Sequence, residues 1–212
     1  MYLPNPPPLA AFLENVFPSV NTKVHFSRGL LSTSPLVQHC TALALAKCLS
    51  KYSEVLRVMR KIESTLEEDE SHGQWKRRRH ELEREARRRV PDFQVIIAFS
   101  QKSGDNAQSV SKDTDTGTTP PNKVRLAMLA ESSTRLLWLY HLCLPALVAE
   151  ARFDVGKLLQ SSFEEVGPMS GLDTLRRLHV LRLLKESDQF LWSSKSGELR
   201  AHDGASVLNY QR

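Results

Sequence analysis

From Trp75 to Phe93 the chain reads WKRRRHELEREARRRVPDF, and eight of the fourteen residues from 76 to 89 are basic: Lys76, Arg77, Arg78, Arg79, Arg84, Arg87, Arg88 and Arg89. Arginine at this density is the chemistry of anion recognition. Its planar guanidinium stays charged and donates in a fork that matches two phosphate oxygens. A helix bearing these side chains can bind phosphates along RNA, or an acidic partner surface. KRRR followed by RRR also has the length of a nuclear import signal. A third reading is a solvated helix laced with ion pairs at i,i+4 spacing: Arg77–Glu81, Arg79–Glu83, Glu83–Arg87 and Glu85–Arg89. Each such pair contributes only about 0.2–0.5 kcal/mol. The pairs share three glutamates, which leaves at least Lys76, Arg78 and Arg88 without a strong partner.

Eight basic residues against three glutamates give this segment a charge of +5, which is the net charge of the whole chain. Immediately upstream lies an acidic run, Glu63, Glu67, Glu68, Asp69 and Glu70. Adjacent blocks of opposite sign point to a local contact or an internal charge pairing, rather than a diffuse field that steers any polyanion.

Other chemistry is hard to find. There is no GxxxxGK[ST], no GxGxxG, no HExxH and no GxSxG. Carboxylate doublets such as Glu164–Glu165 occupy adjacent helical positions, which point about 100° apart and form no acid/base pair unaided. His25 and His141 sit among apolar residues and read as core or boundary histidines, and Trp138 and Tyr140 read as core. Cys40, Cys48 and Cys143 lack CxxC spacing, so they suggest neither a disulfide framework nor a zinc site, and a reducing compartment fits them. The expectation is no enzyme, no metal, no cofactor and no small-molecule substrate. The most apolar stretch, residues 136–149, spans fourteen positions with His141 and Pro145 inside. A membrane-crossing helix needs roughly 20. The first residues show no basic region followed by a continuous apolar run, so no signal peptide or membrane partner is expected.

Leu and Ala dominate the apolar residues, which favours helices over strands. Residues 9–17 form a short helix closed by Pro18. A second helix starts at Asn21 or Thr22, with Val24, Leu30 and Leu31 as its apolar side. Ser34 as N-cap and Pro35 at the first helical position open a third, apolar nearly all round, with Leu36, Cys40, Leu43 and Ala44 at three-to-four spacing. Val55, Met59, Ile62 and Leu66 make one stripe after it, and pattern alone does not decide whether a bend at Lys51–Ser53 intervenes. In the basic helix the apolar seam is Trp75, Leu82 and Ala86. A compact apolar helix follows Pro91, a strand being the lesser alternative. Residues 103–122 are nearly devoid of hydrophobes and read as a flexible polar insert. A long helix then runs to a kink or split at Pro145, an amphipathic helix covers 152–166, and a last helix turns Leu175, Leu178, Leu181 (or Leu183) and Leu184 inward. Residues 193–212 are a polar tail that reads as a truncated continuation.

The pattern is all-α, and helices of this length apolar on more than one face suit an armadillo/HEAT-like solenoid segment over residues 1–192, a compact irregular bundle being the alternative. Three stretches, VNTKVHFSRGLLSTSPLVQHCTALALAKCLSKYSEVL, EREARRRVPDFQVIIAF and LLWLYHLCLPALVAEARFDVGKLLQ, resemble fungal nucleolar pre-ribosomal-associated proteins. The likeness is to the N-terminal 60S-biogenesis domain of the large scaffold of that group, and it spans most of residues 9 to 192. It implies an armadillo-like fold and a non-catalytic role in early nucleolar assembly of the large ribosomal subunit and pre-rRNA processing. It also implies pre-ribosomal RNA, a DEAD-box helicase and other pre-60S assembly factors as partners, and a chain that is a piece of something longer. The polar insert 103–122 and the tail depart from the family, and no family motif assigns RNA contacts to particular residues. The rival expectation is a generic helical protein–protein adaptor with no RNA role.

Overall fold

The computed structural model describes residues 2–68, 73–112, 120–151, 153, 155 and 170–187. Among them are eight helices and no strand: α1 (Leu9–Val16), α2 (Lys23–Leu30), α3 (Pro35–Thr65), α4 (Gln74–Arg89), α5 (Phe93–Lys112), α6 (Pro120–Cys143), α7 (Pro145–Ala149) and α8 (Gly171–Glu186). The fold is therefore all-α. No described helix is long and apolar enough to cross a membrane.

Local chemistry explains most helix ends. Thr22 Oγ1 accepts the backbone N–H of His25 at 3.2 Å and starts α2. Ser34 is the N-cap of α3 with Pro35 behind it, but its hydroxyl makes no capping bond. From there α3 runs 31 residues without a break at Lys51–Ser53. It ends in a Schellman turn: Glu68 N–H donates to Glu63 O at 3.2 Å and Glu67 N–H to Ser64 O at 3.4 Å. Glu67 takes the left-handed conformation there, at φ 48°, a position that glycine would fill with less strain. The long apolar helix splits at Leu144, because Pro145 has no N–H to continue it. Ser170 and Asp173 form a reciprocal capping box that opens α8.

The centre of the fold is α6, which packs against α3, α5, α7 and α8. It is enclosed on nearly every side in its C-terminal half, where Leu136, Leu137, Leu139 and Tyr140 are buried. Just before them Glu131, Ser132, Ser133 and Thr134 are buried too. Small hydroxyls permit this, since each can bond the backbone of its own helix: Ser132 Oγ donates to Met128 O at 2.8 Å and Thr134 Oγ1 to Ala130 O at 2.9 Å. Tyr140 is fully buried and donates its hydroxyl to Pro91 O at 3.0 Å. His141 lies edge-on to Phe93, and burial pushes its pKa down.

Several expected inward faces point elsewhere. In α3 the buried face is Ala42, Leu45, Leu49, Tyr52, Leu56, Met59 and Ile62, whereas Leu36, Cys40, Leu43 and Ala44 face solvent. In α2 Phe26 and Leu30 are buried, while Val24 and Leu31 are exposed. In α8 His179, Val180, Leu183 and Leu184 are buried, and Leu175, Leu178 and Leu181 are exposed. All three helices carry apolar residues on more than one side, so periodicity alone could not choose the face.

The segment 103–122 is divided. Its first ten residues prolong α5 to Lys112, and 120–122 already belong to α6, because backbone hydrogen bonding propagates a helix past its last apolar residue. Residues 113–119, the helix expected over 152–166 and the tail 193–212 lie outside the described residues, apart from 153 and 155.

Candidate nucleic-acid interface

The basic segment is a helix held to the body along its thin apolar seam, as its pattern predicts: in α4 the buried residues are Trp75, Leu82 and Ala86. Trp75 also donates its indole N–H to Leu3 O at 3.0 Å, tying down the irregular N-terminal chain. The acidic block upstream supplies the cap. Glu68 accepts the N–H groups of Trp75 and Lys76 at 2.9 and 3.0 Å, placing a carboxylate on the positive end of the helix dipole.

Opposite the seam runs a ridge formed by Arg77, Arg84 and Arg88, with Arg87 beside it, all exposed. At 1.5 Å rise per residue Arg77 and Arg88 stand about 16 Å apart along the axis. The ion pairs on this helix differ in part from the i,i+4 ladder. Arg77–Glu81 and Arg79–Glu83 form, at 3.4 and 3.0 Å. Glu83 takes His80 as its second partner instead of Arg87, and Glu85 takes Arg88 and Arg84 instead of Arg89. Arg78, expected free, pairs with Glu81 at 2.8 Å, and Arg88, also expected free, pairs with Glu85 at 2.9 Å. The i,i+3 geometry competes with i,i+4 on a helix surface, which is why counting only i,i+4 mispartnered them. Lys76 and Arg87 have no ion-pair partner among the described residues.

Two of the eight cations are structural. Arg79 is largely covered and reaches Glu63 on α3, Nε to Oε1 at 2.7 Å. Arg89 donates to Phe17 O at 2.9 Å and joins the end of α4 to the end of α1. Their side chains are committed to the body of the fold, so six remain to offer an anion. At the C-terminal end of the ridge Arg88 and Arg89 border a recess of about 350 Å³ that also holds Thr22 and Lys23 of α2. Lys23 is a cation that no sequence pattern linked to the basic block; packing of α2 beside α4 brings it there, and Asp92 holds it at 2.6 Å.

A second polar constellation has no counterpart among the sequence motifs. His179 Nε2 of α8 lies 3.1 Å from Glu131 Oε1 of α6, both buried, and Trp138 stacks on the imidazole at 5.4 Å between centroids. The Arg182 guanidinium lies over the same indole at 4.8 Å. His39 Nδ1 of α3 lies 3.0 Å from Ser132 Oγ, which itself neighbours Glu131 at 3.4 Å. Thus α8 meets α6 directly on one buried carboxylate, and α3 approaches it through Ser132. Burial acts to raise the Glu131 carboxyl, but the hydrogen bond and charge of His179, with Arg135 and Ser132, hold it below the usual value. The pair ties α8 to α6. Its one sequence signal is the run of polar residues inside an otherwise apolar helix.

Among the described residues no group of three or more His, Cys, Asp or Glu is placed to hold a metal. No protein-family model, curated protein or solved structure matches the chain.

Proposed function

We propose that the chain is a non-catalytic helical scaffold segment that acts in early nucleolar assembly of the large (60S) ribosomal subunit and in pre-rRNA processing. It contacts pre-ribosomal RNA through α4 and other assembly factors, a DEAD-box helicase among them, through its remaining surface. The observation that carries the RNA contact is the exposed ridge of Arg77, Arg84, Arg87 and Arg88 on the side of α4 opposite its buried seam. Guanidinium groups in such a row suit successive phosphates, and their weak surface ion pairs are readily exchanged for them. The nucleolar setting rests on the resemblance of the three stretches quoted above, as does stacking of the helices in armadillo or HEAT fashion.

The test is RNA binding by the 212-residue chain over a range of salt. Replacing Arg77, Arg84, Arg87 and Arg88 with Ala should weaken binding. It should also flatten the log–log salt slope by about 0.7 for each single-strand phosphate no longer neutralised. Unchanged affinity at low salt would remove the RNA role.

One observation favours the rival reading, a generic helical adaptor: Arg77, Arg78 and Arg88 already have glutamate partners on their own helix. A tagged copy that stays in the cytosol as intact protein would support the adaptor.

A further inference from the structure

α3 carries two apolar stripes, and only one of them is used by the fold. The second, Leu36, Cys40 and Leu43, faces solvent at i, i+4, i+7 spacing, with Leu36 71% and Leu43 40% exposed. Leu36 continues sideways into a groove of about 500 Å³ between the first turn of α3 and the flank of α6, where Val124, Met128 and Leu129 form the facing wall. Val124 is itself 54% exposed. A folded chain rarely leaves contiguous apolar surface of this kind without a use for it. Anchors at i, i+4, i+7 beside an apolar trough are the complement of one amphipathic helix laid into a groove.

Among the described residues the charges around the groove have one sign: Arg125 stands in its wall, and no described carboxylate lines it. Lys102 of α5 donates to Ser32 O at 3.3 Å, two residues before Ser34 of the groove wall. Lys123 is exposed beside Val124, and Lys47, exposed one turn beyond Leu43, extends the α3 stripe. The first turn of α3 adds the positive end of a long helix, which the Ser34 hydroxyl does not cap. A second copy of the chain would bring the same cations against these, so self-association along this face is opposed. Residues 113–119, which join α5 to α6, contain two aspartates but no apolar side chain, so they match the charge of the groove and not its wall.

We propose that this groove receives an acidic amphipathic helix of a partner protein, its apolar side on Leu36, Leu43, Val124 and Met128 and its carboxylates on Arg125 and the neighbouring lysines. This surface lies on α3 and α6, apart from the ridge of α4, and its occupancy does not depend on RNA.

The experiment uses the full 212-residue chain and two dye-labelled synthetic helices of about 18 residues, long enough to hold a helix. Both carry Leu at i, i+4, i+7 and i+11, one flanked by Glu and the other by Lys. Fluorescence anisotropy should show saturable binding of the Glu peptide, at least about tenfold tighter than the Lys peptide. Arg125→Glu should reverse that preference, and Leu36→Ser should abolish binding of both, with circular dichroism unchanged because both substitutions lie on the protein surface. Equal binding of the two peptides, or binding of neither, overturns the proposal. So does light scattering that reports a dimer dissolved by Leu36→Ser, which would give the face to a second copy.

Discussion

The Glu63 carboxylate of α3 receives both Nε and Nη2 of Arg79 from α4, at 2.7 and 3.2 Å, while Arg79 Nη1 reaches Glu83 at 3.0 Å. Here, as at the Glu68 cap of α4, the acidic and basic blocks of the sequence meet. Both side chains of the inter-helix pair are mostly covered, 13% and 15% exposed. Losing one partner therefore strands a charge in a poorly solvated position. Arg79→Met or Glu63→Gln should each lower stability by about 2 kcal/mol in denaturant unfolding, with a double-mutant cycle returning a coupling of similar size. The exposed Arg57–Glu54 pair on the same long helix is the control, and Arg57→Ala should leave the unfolding midpoint unchanged.

Gly29 sits inside α2, where alanine would ordinarily raise helix stability by about 1 kcal/mol. Here the added Cβ would collide with Thr41 Oγ1 and come within 2.7 Å of its Cγ2. Thr41 cannot turn away cheaply, because its hydroxyl is bonded to Val37 O at 2.7 Å. Gly29→Ala should destabilise the chain by about 1–3 kcal/mol. Thr41→Ala added to it should restore most of the loss, which thermal unfolding of the single and double variants checks.

Glu131 predicts a pH dependence. Burial alone would raise its carboxyl, but His179, Arg135 and Ser132 hold it below the ordinary value of 4.5. The unfolded chain then binds a proton at this site more readily than the folded one. The stability it contributes is complete above about pH 4.5 and is lost as pH falls from there through the folded-state value. Urea midpoints measured from about pH 7 downward should fall in that window, and Glu131→Gln should flatten that part of the profile.

The three cysteines should separate by reactivity. Cys40 is exposed; Cys48 and Cys143 are buried, and burial pushes both thiols up, Cys143 to about 12. A maleimide at neutral pH should modify Cys40 alone in the native chain and all three in denaturant, as read by mass spectrometry. Modification of Cys143 without denaturant would mean that α6 opens far more readily than its packing against α3 indicates.

Legibility in the sequence varies with the local pattern. The seam Trp75, Leu82 and Ala86 is readable because those three are the sole apolar residues in a charged helix, so only one face could be buried. Leu36, Cys40 and Leu43 mislead because the first half of α3 is apolar all round, and a period then fits two faces equally well. In α8 the buried face, Val180, Leu183 and Leu184 with His179, includes a polar residue whose partner, Glu131, lies on a different helix far back in the chain.

The sequence by itself determined the helical class, the stops at Pro18 and Pro145, the position of Ser34–Pro35 at the start of α3 and the side of α4 that meets the body. These are decided within a few residues, by missing donors, capping chemistry and apolar spacing. Only the tertiary structure decided which stripe of α3 and α8 is buried, that Arg79 and Arg89 are spent on the fold, and that Lys23 stands beside Arg88 and Arg89. Those outcomes depend on which helices lie against each other, and a side chain's partner across a helix contact is set by distance in space rather than by spacing along the chain.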